Sequence, residues 1–222
     1  MTNQEKNDRF ITVKGTGKVV AKPDLTIISF TLVQQTMEYE KTMELATNEI
    51  ELLRKALISI GYDRKSLKTT DFNVSTEYTS INEGNGRYRQ EFKGYRCSHR
   101  LILEFDFDMK RLSETLSVIS KSGTKPVFGI SFSVKDKNAV SEELIRKAVE
   151  DAREKAIILS EAAGVSLGAV QTISYRWEEL EMYSRTNYSE REVHTLAMRG
   201  PIEIEPEDIK VSDTVSVVWS IE

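Results

Sequence analysis

Apolar and polar positions alternate through Ile11, Val13 and Val19, with Gly15 and Gly17 between them, which predicts a strand over 10–20. From Leu25 to Val33 both parities are apolar or Ser/Thr, so a second strand over 25–35 is expected to be covered on both faces. Pro23 has no N–H and suits the turn between the two. The period then changes. Met43, Ala46, Ile50, Leu53 and Leu57 recur at three and four, predicting a helix over 38–60 that stops at Gly61.

Thr70, Phe72, Val74, Thr76 and Tyr78 alternate in a strand predicted over 67–79, and turn chemistry makes 82–86 a loop. The return strand, 90–107, carries Tyr95, Cys97, His99, Leu101, Leu103, Phe105 and Phe107 on one face and charged or small residues on the other. Asp108 is placed to cap a short helix with Leu112, Leu116 and Ile119 inward, ending at Gly123. Phe128, Ile130, Phe132 and Val134 then alternate as a strand. A long helix over 139–163 presents Leu144, Ala148, Ala152, Ala156, Leu159 and Ala163 as one stripe, whose small side chains imply a close approach to a sheet. Strands over 165–177 and 209–221 complete the chain.

The order is β-β-α-β-β-α-β-α-β-β, an α+β fold with mainly antiparallel sheets packed against helices. It reads as a single domain, 10–222, behind a flexible N-terminus, 1–9. Gly61 and Gly164 each close a helix ahead of a strand, a shared grammar that divides the domain into two loosely related halves, 10–107 and 108–222. Residues 178–208 form a polar connecting arm, rich in Glu and Arg, too long for a simple turn. Its charge density opposes an independent core, while Leu180, Met182, Tyr183, Val193 and Leu196 make it too apolar for a plain linker.

Composition narrows the function classes. Thirty-one Lys and Arg against 35 Asp and Glu give a net charge of −4, which argues against a dedicated nucleic-acid surface. A single cysteine, Cys97, forbids an intramolecular disulfide, and one Cys with two His, His99 and His194, argues against a structural zinc site, although carboxylates could contribute ligands. No run approaches the roughly 20 apolar residues that span a bilayer, so no membrane insertion is expected. Met1–Arg9 has no apolar core of a signal peptide, which predicts a cytoplasmic protein.

The chemical candidates are few. Cys97 and His99 face the same side of a strand, where an imidazole can help form a thiolate, but their line with Leu101 and Leu103 favours a core role for both. Gly15-Thr-Gly17 resembles part of a nucleotide-binding turn, yet Val20 stands where the third glycine belongs, so a close backbone approach is the better reading. Asp106 and Asp108 read as a solvent-facing strand residue and a helix cap rather than as cation ligands. Asn73-Val-Ser75 and Asn187-Tyr-Ser189 fit the glycosylation pattern, which matters only on a secretory route. Trp177, Tyr183, Arg185 and Tyr188 are the candidate interaction residues, by the enrichment of aromatics and Arg at interfaces. No catalytic constellation, cofactor motif or metal set is read.

In their order and spacing these pieces resemble the SIMPL family, also called the domain of unknown function 541. The resemblance runs from Phe10 to Ile221. It rests on Ile11-x-Val-x-Gly15-x-Gly17, Pro23-Asp24, Leu57-x-x-Ile-Gly61 followed by Leu67-Lys-Thr-Thr, Gly94-Tyr95, the Ala148, Ala152, Ala156 column, and Pro201-Ile202 ahead of Val211, Val215 and Val217. Glu207 stands where the family commonly has a glycine. The resemblance implies relatives linked to the bacterial envelope and oxidative stress, and one linked to inflammatory kinase signalling. It implies no catalytic residues. The expected function is therefore a non-catalytic interaction protein that forms homo-oligomers and meets a protein partner through open sheet edges or the arm. The alternative is a small-molecule-binding or redox-responsive protein using the cleft between halves, with Cys97 as sensor.

Overall fold

The computed structural model describes residues 9–84, 86–176, 180–189 and 205–222. In chain order they form β1 (Phe10–Ala21), β2 (Leu25–Thr36), α1 (Tyr39–Ser59), a 3-10 turn (Arg64–Ser66), β3 (Leu67–Gly84), β4 (Arg87–Asp106), α2 (Met109–Lys121), β5 (Val127–Ser133), α3 (Lys137–Ala162), β6 (Leu167–Tyr175), β7 (Tyr183–Ser189) and β8 (Ile209–Ile221). The fold is α+β, with two mainly antiparallel sheets. Two elements differ from the sequence reading. The β3–β4 hairpin continues past Thr79 to the pair Gly84–Arg87, and the segment read as an arm contributes β7. Polar alternation in Tyr183–Ser189 hid that strand, because strand order there comes from pairing beside β5 rather than from an apolar face.

The chain divides into two compact units. The first comprises Met1–Pro23, Val134–Ser184 and Glu207–Glu222. Its sheet has the order β1-β8-β6, with β8 antiparallel to both neighbours, and α3 packs against β1 and β8. The buried stripe of α3 is Leu144, Ala148, Ala152, Ala156 and Ser160; Leu159 is half exposed. Spacing of four follows one inclined ridge of the helix, which Ser160 continues in place of Leu159. Glycine is required opposite. A Cβ on Gly15 would collide with the Ala148 carbonyl and stand 2.6 Å from the Ala152 amide nitrogen, and one on Gly17 would collide with the Leu144 carbonyl. Gly15-x-Gly17 is thus a seat for the helix, as the close-approach reading expects. The Thr16 amide donates to Asp151 Oδ2 at 2.6 Å, and Lys155 donates to the same oxygen at 2.6 Å. These two donors, Lys155 foremost, hold the Asp151 carboxyl below its ordinary pKa. Val134, Met182, Ile209 and Val211 bury a second cluster with Leu144.

The second unit comprises Asp24–Ser133 and Arg185–Pro206. Its five-stranded sheet has the order β3-β4-β2-β5-β7. Ile28, Phe30, Leu32, Leu101, Leu103, Ile130 and Phe132 share one large core with Ile50, Leu53 and Leu57 of α1 and Leu112, Leu116 and Ile119 of α2. Thr42, not Met43, is the first buried residue of α1, and its hydroxyl is satisfied by the Glu38 carbonyl at 3.0 Å and Thr36 Oγ1 at 2.8 Å. The Asp108 side chain accepts from the Arg111 amide at 2.8 Å, so its role is that of a helix cap.

Candidate functional site

Cys97 and His99 lie on β4 and face α1's side of the second unit's sheet. Cys97 is 1% exposed and His99 8%. Burial pushes the Cys97 thiol up from its ordinary pKa. Burial, and then the charge of Arg54, push His99 down, while Asp71 acts the other way. Both shifts favour neutral groups, the opposite of a thiolate beside an imidazolium. His99 Nε2 lies 2.8 Å from Thr69 Oγ1 on β3, its ring meets Phe72 edge-on at 5.1 Å, and its Nδ1 has no hydrogen-bond partner. The tautomer that leaves only a lone pair at Nδ1 has Nε2 donating to Thr69.

Of the predicted interaction residues on β7, Tyr183 and Arg185 share one side of the strand and Tyr188 takes the other. Trp177 lies outside the described residues. Tyr183 belongs to the first unit, where Lys137 Nζ sits 5.1 Å from its ring centre. Arg185 and Tyr188 belong to the second. Tyr188 packs against the large core, while Arg185 points outward with Tyr183 by strand parity. Among the described residues no group of three or more His, Cys, Asp or Glu side chains is arranged to hold a metal ion.

Two surfaces that alternation did not show emerge instead, both made by bulges. The first is on the β3–β4 hairpin. Tyr78 pairs with Phe92, Glu77 with Gly94 and Thr76 with Tyr95, so Lys93 is the extra residue of a bulge. Gly94 takes φ +112, and a Cβ there would collide with the Thr36 carbonyl. The extra residue brings Phe92 and Tyr95 onto one face. Rings then run edge to face from Tyr39 to Tyr95 at 5.6 Å, Tyr95 to Phe92 at 5.4 Å, and Phe92 to Tyr78 at 5.6 Å. Gln90, Ser80, Asn82 and Tyr88 continue that face toward the tip by their pairing, so it carries no charge. Glu77, Glu83, Arg89, Glu91 and Arg96 take the other. Tyr39, Tyr78 and Tyr88 are half or more exposed.

The second surface is β6. Leu167 pairs with Ile221, Val170 with Trp219, Ile173 with Val217 and Tyr175 with Val215. Two register shifts therefore turn spacings of three into a single row of Leu167, Val170, Ile173 and Tyr175 on the side facing α3. That helix covers β1 and β8 and largely leaves β6 open. The result is a groove of about 530 Å³ between Val149, Arg153 and Ile157 of α3 and the β6 row, floored by Val217 and Trp219. At the end of the row the Tyr175 hydroxyl donates to Asp213 Oδ2 at 2.6 Å, which pushes the phenol up to about 12.

Two antiparallel sheets, one covered by α3 and the other by α1 and α2, carried as two units of one chain, define an α+β protein. The chain belongs to the SIMPL family, described as a protein of unknown function (DUF541), whose model matches residues 11–219. It is 27% identical over 167 residues to the 26 kDa periplasmic immunogenic protein of Brucella melitensis, with 74% of this chain covered. It is 26% identical over 167 residues to the protein of the same name in Brucella abortus, again covering 74% of this chain. The chain spans 65% of the length of these curated relatives. Their names correct the cytoplasmic placement expected from Met1–Arg9. A leader is removed on export, so the first residues of a sequence need not record its compartment. Among the described residues no helix is long and apolar enough to cross a membrane.

Proposed function

We propose that this chain is a non-catalytic interaction protein of the bacterial periplasm that self-associates. The observation that carries the reading is the uncharged aromatic row Tyr95–Phe92–Tyr78 of the β3–β4 hairpin, continued by Tyr39 of α1, with Tyr88 exposed further along the hairpin. Exposed aromatic side chains flanked by Ser, Asn and Gln have the chemistry of protein-binding surfaces, because they bury large area with little side-chain entropy lost. Open edges on both sheets supply backbone donors and acceptors for further pairing. The periplasmic setting is taken from the names of the two relatives. Burial of Cys97 weighs against a thiol sensor, since the thiolate needs exposure and a positive surrounding. Light scattering coupled to size exclusion tests the association: a mass above 25.3 kDa at micromolar concentration is expected. A strictly monomeric peak at every concentration would overturn it.

A further inference from the structure

Four strands lie at sheet edges among the described residues: β1 and β6 in the first unit, β3 and β7 in the second. Unprotected edges invite pairing with another chain, and proteins guard them with charged side chains, bulges or a cover. β1 carries Lys14 and Lys18. β3 carries Lys68, Asp71, Glu77 and Glu83 along 18 residues. β7 carries Arg185. β6, Leu167-Gly-Ala-Val-Gln-Thr-Ile-Ser-Tyr175, carries no charged residue and no proline. Its two bulges lie before Thr172, and from Thr172 to Tyr175 its pairing with β8 is regular.

The bulges of β6 do more than interrupt the ladder. They turn Val170 and Ile173 to the same side, where these side chains stay 50% and 55% exposed beside the α3 groove. An edge that advertises apolar side chains and lacks charges is built to be paired.

We propose that β6 of one copy pairs antiparallel with β6 of a second copy across a two-fold axis, joining two three-stranded sheets into one of six strands. The inference rests on the self-association proposed above and assigns it to this open edge, leaving the hairpin's aromatic row to a protein partner. Charge selects the edge that can meet its own copy. A two-fold sets a strand against itself, so any charge near its centre meets its own like. β1 would oppose lysines and β3 carboxylates, whereas β6 brings only Ala, Val, Gln, Thr, Ile and Ser against themselves. Across the axis, Val170 and Ile173 meet their symmetry mates as an apolar cluster between the two α3 helices, with Arg153 at its rim. Nine residues at about 3.4 Å each give about 30 Å of edge. A strip of that length, one strand deep, falls short of the roughly 800 Å² per partner of a standard interface, so the dimer is concentration-dependent rather than obligate.

Thr172→Lys tests this. Thr172 is exposed, near the middle of β6, and lines neither core cluster of its unit, so the variant keeps the fold. Sedimentation equilibrium across the micromolar range should show the parent chain approaching twice its 25.3 kDa mass. The variant should dimerise on the order of tenfold more weakly, from like charges opposed across the axis. Hydrogen exchange of the parent should show β6 amides gaining protection as concentration rises, with β3 amides unchanged. A parent that associates while Thr172→Lys associates equally well would overturn the β6 interface and leave self-association standing. A parent monomeric throughout would overturn both. Protection of β6 that is complete in the monomer would show the edge covered from within the chain, and would also overturn the proposal.

Discussion

β3 and β6 are both bulged edge strands, and the chain treats them in opposite ways. β3 is twice as long, 18 residues against nine, and pairs its outward charges with β4: Asp71 with Arg100 at 3.8 Å, Glu77 with Arg96 at 3.8 Å, and Glu83 with Arg89 at 2.9 Å. Such exposed ion pairs add little to stability. Their effect is to forbid a second β3 from settling alongside, while the uncharged aromatic face of the hairpin remains presented. β6 has no such guard, and its bulges gather apolar side chains instead of dispersing them. A bulge alone therefore does not protect an edge; what protects it is the charge the strand carries.

The comparison is broken most severely by removing the seat on which β6's sheet rests. Gly15→Val places a branched side chain against the Ala148 carbonyl and Ala152 backbone, neither of which can give. The expected loss is about 3 kcal/mol, at the upper end for overpacking, with β6 losing exchange protection. Gly129→Ala in β5 is the matched control. Its Cβ would meet only the Tyr188 carbonyl at 3.7 Å, an ordinary contact, so urea unfolding should show it neutral or stabilised by about 0.5 kcal/mol. Equal losses in the two variants would deny that α3 is seated on glycine.

On the hairpin, Gly94→Ala should lose about 2 kcal/mol, since L side chains are strained at φ +112 and the methyl meets the Thr36 carbonyl. Near-ultraviolet circular dichroism should report the ring row coming apart, because the bulge is what stacks Phe92 on Tyr95. An unchanged spectrum would mean that the row does not depend on it.

These bulges also mark where sequence reasoning stopped. Most elements were legible because their apolar residues keep a fixed period: Leu144, Ala148, Ala152 and Ala156 on α3, and Leu101, Leu103 and Phe105 on β4. The glycine pair Gly15 and Gly17 was legible as a close approach. β6 was legible as a strand over 165–177, but its apolar row and the hairpin face were not, because an extra residue changes which side chains are neighbours without leaving a periodic trace. Nor could alternation reveal β7, whose outward residues are polar. Tyr183, Arg185 and Tyr188 were grouped by proximity along the chain, while strand parity sends Tyr188 to the opposite side from the other two.

Neutralising the guard sharpens the contrast at little expense in stability. Asp71→Asn, Glu77→Gln and Glu83→Gln together remove three exposed ion pairs, so the unfolding free energy should fall by less than about 1 kcal/mol per pair. Built into Thr172→Lys, the triple change should nonetheless raise concentration-dependent light scattering above that of Thr172→Lys alone. If it associates no more than Thr172→Lys alone, charge is not what keeps β3 open.

The smallest effect separates the edges by pH. His99 ties β4 to the edge strand through Thr69 and is flanked by Arg54 of α1 and Asp71 of β3. Its folded pKa lies below the ordinary imidazole value, so at neutral pH it is uncharged both folded and unfolded and imposes no penalty. As pH falls through about 6.5 the unfolded chain takes up a proton that the folded chain resists, and stability declines with a slope no greater than the one-proton limit of about 1.4 kcal/mol per pH unit. The decline continues until pH reaches the folded pKa, where the buried ring protonates, Nδ1 becomes a donor with no acceptor, and the Arg54 charge repels it. Local opening should therefore begin where β3 meets β4. Hydrogen exchange near pH 5 should show the amides of 69–72 losing protection before those of β6, which has no titrating side chain but Tyr175. His99→Gln, which can keep a hydrogen bond to Thr69 without titrating, should flatten the pH dependence and leave the order of opening at neutral pH unchanged. If β6 opens first in acid, or if the glutamine variant keeps the parent's slope, His99 is not the group that makes the guarded edge the acid-sensitive one.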